Sequence, residues 1–176
     1  MAAVAVTASV TFELFGNPEQ FHKRPFGEVL GGADAPPFSK EIIMSKSLIQ
    51  TVNQSNQAVA ANSIISLGST QRRFGCNLRL SGNGIEVCGE GYYTIDANVS
   101  VTPTAAGAVT IALFLNGAQI PGAIAYTTGA AGVPEAIAIP TTIRQGCCCD
   151  GADNITCVLI AGAGVVNNIA IRVVKE

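Results

Sequence analysis

The sequence contains no tryptophan, a single histidine and few charged residues, 10 basic and 12 acidic among 176. The net charge of −2 provides no basic surface that could neutralise phosphates, so nucleic acid is not expected as a partner. A hydrophobic fraction of 48% with almost no net charge also argues against an intrinsically disordered chain. The sequence therefore predicts a compact, apolar protein with few chemically reactive groups.

The few charges are unevenly distributed along the chain. No Asp, Glu, Lys or Arg occurs in residues 97–134 or in residues 47–71. Neither stretch can span a membrane, because Thr, Ser, Asn, Gly and Pro interrupt both well short of the roughly 20 apolar residues that a span needs. Soluble monomers usually carry mixed charges on about 25–35% of the surface. Long uncharged stretches thus favour an oligomer, although Thr, Ser and Asn could also supply the polarity.

Catalytic residues are scarce as well. The one histidine, His22, lies in the N-terminal segment, so residues 47–176 cannot assemble a Ser/His/Asp or Cys/His nucleophile. Glu86 and Glu90 could flank a glycosidic bond, but Glu90 sits in a Gly-Glu-Gly sequence typical of an exposed turn. We therefore expect a protein that is not an enzyme and has no cofactor.

Cysteine and aspartate offer the remaining candidate metal ligands. The residues Asp150 and Asp153 flank a turn suited to calcium, yet two carboxylates without a third make a weak site, and a plain Asx turn is the alternative. The cysteine spacing is unlike that of structural zinc sites. Buried free thiols, disulfides and a metal site all stay open for the cysteines. There are six of them: Cys76, Cys88, Cys147, Cys148, Cys149 and Cys157.

Residues 1–46 differ from the rest of the chain, since they hold nine charged residues and five of the seven phenylalanines. Apolar residues alternate from Val4 to Leu14, which predicts one strand with a buried face. A segment with one strand cannot bury its own aromatics, so we expect an extended arm that docks on another protein; a disordered tail is the alternative. The predicted anchoring residues are Phe12, Phe15, Phe21, Phe26 and Phe38.

Residues 47–176 alternate short apolar runs with turn signals, which is typical of a β-sandwich. Asn-Gly at Asn116 is a strong hairpin signal, because both residues tolerate positive φ. No long stretch has helical periodicity with caps, so we predict a head domain of two packed antiparallel sheets, with the domain boundary at 46/47. The nine predicted strands cover residues 63–67, 74–80, 85–88, 92–101, 108–115, 120–127, 136–143, 155–161 and 169–174.

Three motifs in the head carry a resemblance to a known family: RFGCNLRL at 73–80, GEGYYTIDANVSV at 89–101 and LFLNGAQIPGA at 113–123. They resemble the globular heads of complement and tumour-necrosis-factor (TNF)-like proteins, in particular the bacterial branch with its exosporium glycoproteins and phage proteins. The closing IRQGCCCDG at 143–151 is similar to the prophage-encoded members. The resemblance covers roughly residues 44–176. It implies a ten-stranded jelly roll assembled as a tight homotrimer.

Within such a head, five residues are predicted to lie in the core or the trimer contact: Phe74, Tyr92, Tyr93, Phe114 and Ile139. An arm that cannot fold alone, joined to a trimeric head, is what an attachment protein on a larger particle needs. We therefore expect a virion protein of a tailed phage. It would be a head fibre or capsid decoration protein at the capsid surface, bound to the major capsid protein or another shell protein through residues 1–46.

Two other roles are weighed beside this one. Exposed loops at residues 117–123, 129–133 and 150–154 could recognise a host glycan, a role compatible with a virion protein. A bacterial surface or spore-surface head of the same TNF-like kind is the alternative. It predicts a collagen-like N-terminal region, and no Gly-x-y repeat precedes the head in this sequence.

Overall fold

The computed structural model describes residues 46–146 and 151–176, which form two antiparallel β-sheets. The described chain contains no helix long and apolar enough to cross a membrane. The predicted strand of the arm, its five phenylalanines and His22 lie outside the described residues, as do Cys147, Cys148, Cys149 and Asp150. The proposed boundary at 46/47 stays a prediction.

Twelve strands make up the described chain. In chain order they are β1 (Leu48–Asn53), β2 (Gln57–Val59), β3 (Ser63–Ile64), β4 (Ser69–Phe74), β5 (Leu78–Ser81), β6 (Gly84–Val87), β7 (Gly91–Pro103), β8 (Gly107–Leu115), β9 (Ala118–Gly129), β10 (Glu135–Gln145), β11 (Asp153–Ala161) and β12 (Gly164–Lys175).

Each sheet has five strands in a continuous order and one short strand beside them. The first sheet runs β10-β7-β12-β1-β4, with β2 paired to β12, and the second runs β5-β6-β11-β8-β9, with β3 paired to β11. Strands that are distant in sequence are thus neighbours in both sheets, and the ten strands of the two continuous orders agree with the number expected for a jelly roll.

The core lies between the two sheets and follows from strand periodicity. On β7, alternate residues from Tyr93 to Val101 are almost fully buried, while the residues between them face outward. The second sheet contributes Ile111, Leu113 and Leu159, each with no exposed surface. Burying one such side chain stabilises the fold by roughly 1.5–3 kcal/mol. The aliphatic, aromatic-poor composition therefore suffices for a packed sandwich.

The predicted strand over residues 74–80 is wrong. The chain divides there into β4, which ends at Phe74, and β5, which begins at Leu78. The break occurs at Gly75, whose φ of 78° is in the left-handed region and whose hypothetical Cβ would lie 2.3 Å from Ser47 Oγ. Leu78 is buried, but Phe74 and Cys76 are exposed, so the alternation does not describe one buried face.

Three strands were absent from the prediction, namely β1, β2 and β4. All of β4 is exposed, and its sequence STQRRF has no apolar alternation. In β1 the apolar residues Leu48 and Ile49 are neighbours on opposite faces, so period two is not visible. β1 and β2 pair with β12, and β4 pairs with β1. These pairings, and not a hydrophobic pattern, give the three segments their strand conformation.

The two ends of the sandwich differ in what they contain. We call the end that holds residues 46 and 176 the base; there the Lys175 amide donates to the Ser47 carbonyl oxygen at 2.8 Å. We call the opposite end the tip; there the amides of Thr104 and Gly132 donate to the carbonyl oxygens of Ala163 and Pro103 at 3.0 and 2.9 Å. Of the predicted recognition loops that the structure describes in full, residues 129–133 lie at the tip and residues 117–123 begin at the other end of the sandwich.

Candidate functional site: the outer face of the first sheet

No element of residues 46–146 and 151–176 covers the face of the first sheet that points away from the core. Its side chains come from the outward-facing positions of β7 and from the residues paired with them on β10, β12, β1 and β4. The strand registers arrange these side chains in rows that cross the sheet. Three kinds of row follow one another from the base to the tip.

The rows nearest the base carry the exposed aromatic side chains of this face, and we call them the base half. The outermost of these rows places Tyr92 between Arg144 and Glu176. One row joins Phe74, Leu48, Val174 and Thr94 across four strands, and Tyr92 lies beside it towards the base. Phe74 is 67% exposed and Tyr92 is 54% exposed. Large aromatic side chains exposed on a flat sheet are typical of protein contact surfaces.

A charged row follows in the middle of the face. The Arg172 guanidinium lies 3.8 Å from the Asp96 carboxylate, and Gln50 and Arg72 continue the row towards β4. A hollow of about 390 Å³ opens beside this pair. Both charged groups are well exposed, so the pair contributes no more than about 0.2–1 kcal/mol to stability.

The rows nearest the tip are neutral, and we call them the tip half. Asn98, Ser100 and Asn168 face outward here, and Ala136 and Ala138 are their small neighbours on β10. These five residues surround a hollow of about 230 Å³. The small alanine side chains leave the hollow open, and no residue that lines it is ionisable.

Among the predicted core or trimer residues, the structure brings Phe74 and Tyr92 onto this one face, although three strand spacings separate them. Tyr93 and Ile139 lie in the core instead, since they occupy the inward-facing positions of β7 and β10. Phe114 is half-buried on β8 of the second sheet, away from the others. Sequence reasoning missed Asn98, Ser100 and Asn168. The alternation of β7 could have indicated the first two.

The Gly-Tyr-Tyr sequence has a clear structural role at the base. Tyr93 is fully buried, and its hydroxyl lies 2.8 Å from the carbonyl oxygens of both Cys88 and Gly89, to which it can donate. The Lys175 ammonium lies 6.0 Å from the centre of the Tyr93 ring. A Cβ on Gly91 would be 2.8 Å from Lys175 Cε, so the glycine makes room for the lysine stem.

Of the two candidate calcium ligands, the structure describes Asp153, while Asp150 lies outside the described residues. Asp153 Oδ1 accepts a hydrogen bond from Asn116 Nδ2 at 2.6 Å, and the Asn154 amide donates to Asn116 Oδ1 at 2.8 Å. Residues 46–146 and 151–176 hold no group of three or more His, Cys, Asp or Glu placed to bind a metal ion. Asp153 here closes the Asn116 turn against β11.

The described cysteines, Cys76, Cys88 and Cys157, form no disulfide with one another and lie in different environments. Cys157 is fully buried on β11, and burial raises the pKa of its thiol to about 12. Because the thiolate is the reactive form, Cys157 is inert at neutral pH. Cys76 is exposed at the base and Cys88 is half-buried.

Glu86 is not suited to act as the general acid of a Glu86–Glu90 pair. Its carboxylate accepts hydrogen bonds from Ser81 and Arg79, and these hold the pKa of Glu86 below its usual range. A general acid needs a raised pKa in order to stay protonated at neutral pH. Glu86 is therefore suited to pairing with Arg79 across the β5–β6 hairpin, rather than to proton donation.

The sequence matches no protein-family model and no curated protein. Similar solved structures include murine APRIL, at 11% identity and a TM-score of 0.55, over 75% of this chain and 100% of that one. The globular domain of zebrafish complement 1qA protein matches at 8% identity and 0.55, over 72% and 94%. The PRD1 vertex protein P5 matches at 16% identity and 0.50, over 73% and 96%.

These likenesses are far below the identity that would indicate a shared function, and they show the fold alone. The predicted all-β jelly-roll sandwich of TNF-like type is confirmed.

Proposed function

We propose that the protein is a homotrimeric, non-enzymatic virion protein of a tailed phage, anchored at the capsid surface by residues 1–46. It would serve as a head fibre or a capsid decoration protein. The observation that carries the proposal is the outer face of the first sheet, on which the large aromatic side chains of Phe74 and Tyr92 are 67% and 54% exposed.

The base half is the part of this face that suits contact between copies, because one of its rows joins Phe74, Leu48 and Val174. Obligate oligomers bury surfaces that resemble a domain core cut in half. Leu48 and Val174 are already half-buried between Phe74 and Tyr92, so a second copy would complete the burial of all four. Aromatic side chains at the centre of such contacts contribute about 2 kcal/mol or more each.

The similar structures support the virion part of the proposal. APRIL and the complement 1qA domain have the same fold as this chain, and so does the vertex protein P5 of the phage PRD1. A jelly-roll head of this type is thus compatible with a place on a virion. The phenylalanine-rich sequence of residues 1–46 supports a contact with a different protein.

Deletion of residues 1–43 tests the arm. The shortened head should still form trimers, measured by light scattering on a sizing column, and should no longer bind particles assembled without the protein. A full-length variant with Phe21→Ala and Phe26→Ala should also lose binding while keeping the trimer. Undiminished binding by both variants would disprove the anchoring role.

Substitution of the base half tests the trimer separately. Phe74→Ser combined with Tyr92→Ser should shift the full chain towards monomer, because both side chains are exposed in one copy and their loss leaves the core intact. Tyr126→Ser is the matched control, since Tyr126 is 75% exposed on β9 of the other sheet. If the double variant stays trimeric, the base half is not the contact surface between copies.

A further inference from the structure

The second sheet also exposes large apolar side chains, on the face that points away from the core. One row of paired residues crosses four of its strands, from β3 through β11 and β8 to β9, and consists of Ile64, Val158, Ala112 and Ile124. Residues that are directly opposite each other on neighbouring strands point to the same face of a sheet. Tyr126 lies two residues beyond Ile124 on β9 and so shares this face. We call these five residues the outer stripe.

The outer stripe is exposed at both ends and closed in the middle. Ile64 is 51% exposed, Ile124 is 44% exposed and Tyr126 is 75% exposed. Ala112 has no exposed surface although it does not belong to the core cluster, so its larger neighbours in the stripe close over it. No element of the described chain packs on this face. Contiguous exposed apolar side chains are typical of contact surfaces.

A trimer built through the first sheet leaves the outer stripe uncovered. The two sheets pack against each other around one core, so their outer faces point in opposite directions. In a closed ring of three copies, the directions from one copy to its two neighbours differ by only about 60°. Contact between the first sheet of one copy and the outer stripe of the next would therefore stack copies in an open row. The occupant of the outer stripe lies outside the trimer.

The charge distribution of the second sheet favours a second copy of the same surface as the occupant. Its strands β3, β8 and β9 carry no Asp, Glu, Lys or Arg, and the one charged residue of β11, Asp153, accepts a hydrogen bond from Asn116. On β5 and β6, Arg79 and Glu86 pair with each other. Two outer stripes can thus face each other without bringing like charges together, whereas a charged partner would find no complementary charge.

The placement of the exposed residues determines how two outer stripes meet. A two-fold axis parallel to the strands reverses one stripe relative to the other, so Ile64 of each copy lies opposite Ile124 of the other copy. The same axis keeps the bases of both copies on one side. Two heads that are attached to one shell require that arrangement.

The outer stripe is too small for a stable contact between two free molecules. Its row spans three strand spacings of about 4.8 Å, which together with the tyrosine gives an area on the order of 300 Å² per copy. Stable protein contacts bury about 1,200 Å² or more in total. The contact is therefore weak in dilute solution, and it gains strength where many trimers are held side by side and their contacts add.

From these observations we infer that the outer stripe is a contact between neighbouring trimers, formed with the outer stripe of a second copy across a two-fold axis. Each trimer presents three stripes, so such contacts link trimers into a network over a surface. This inference goes beyond the proposed function and rests on its trimer.

Sedimentation of the full chain in a concentration series up to about 1 mM tests the contact. The unaltered chain should pass from trimers to multiples of trimers. Ile64→Lys and Ile124→Lys should each weaken this association at least about tenfold, because each places an unpaired charge against an apolar side chain. Ile64→Lys combined with Ile124→Glu should restore association above either single variant, since the two-fold axis brings the opposite charges together.

Val133→Lys is the matched control, because Val133 is similarly exposed but lies at the tip, and this variant should associate as the unaltered chain does. The inference is overturned if the unaltered chain stays trimeric throughout the series, if both single variants associate undiminished, or if the double variant associates no better than they do. A chain that is monomeric at low concentration contradicts the proposed trimer instead, and the outer stripe should then join monomers into dimers.

Cross-linking of the full chain identifies the occupant directly. A photoreactive benzoylphenylalanine in place of Tyr126 should cross-link to the second sheet of another copy, which mixing of isotope-labelled and unlabelled chains distinguishes from the same copy. Cross-links that form only with residues 1–45 would assign the outer stripe to the arm and would overturn the inference.

Discussion

The two halves of the outer face of the first sheet lie on the same strands and yet differ in chemistry. The base half exposes Phe74 and Tyr92, and the tip half exposes amides and alanines. The Asp96–Arg172 pair separates them. Alternation places both sets of side chains outward, so the difference comes from residue choice at equivalent positions. One continuous sheet can therefore present exposed aromatic side chains and neutral polar side chains on the same face.

The largest expected effect concerns the anchorage of the base half to the core. Tyr93→Ala removes a fully buried ring and the hydrogen bonds of its hydroxyl, and it should lower the free energy of unfolding by about 3–5 kcal/mol. Tyr126→Ala, at an exposed position, should change it by less than about 0.5 kcal/mol. Urea denaturation measures both, and equal effects would mean that the base is not tied to the core through Tyr93.

A smaller effect is expected at the tip, where glycines allow close approach of the backbone. Gly162 has a φ of 84°, and a Cβ there would lie 2.8 Å from the Ala108 carbonyl oxygen. Gly162→Ala should therefore cost about 2–4 kcal/mol through backbone strain and overpacking. Gly132→Ala shares the strain at φ 78° but meets open space, so it should cost only about 1 kcal/mol. Thermal unfolding of both variants tests whether the tip is as tightly packed as the base.

The smallest effect is expected for the charged row between the halves. Arg172→Gln should lower stability by less than about 1 kcal/mol, because both members of the pair are exposed and water already screens their attraction. The difference should shrink as salt is raised from 0.05 to about 0.5 M. A loss that is large and independent of salt would show that the row is part of the packing and not a surface boundary.

Much of the fold could be read from local pattern. The strand predicted over residues 92–101 is present as β7, and the structure places Tyr93, Ile95 and Val99 inward on it. Asn116-Gly117 predicts a hairpin turn, and both residues have positive φ, 51° and 81°. These features depend only on the chain's own stereochemistry and on one buried face, so a single sequence suffices to indicate them.

The outer face was less predictable. Phe74 and Leu78 share a pattern that suggests one strand, but Gly75 ends β4 and leaves Phe74 outward. β1 and β4 are strands because β12 and β1 offer them partners, and hydrogen bonds between distant segments leave no periodic trace in polar sequences. The convergence of Asn98, Ser100 and Asn168 likewise needs β7 and β12 side by side.

The sequence by itself thus indicates the all-β class and the inward residues of the regular strands, because burial of apolar side chains and turn stereochemistry act within a few residues. Its composition alone shows that catalytic groups are scarce. Folding of the whole chain assigns Phe74 and Tyr92 to one surface and forms the neutral hollow beside Asn168. Strand order and register join residues some 70 positions apart in the chain. They depend on the combined energy of many long-range contacts, which no short segment of the sequence contains.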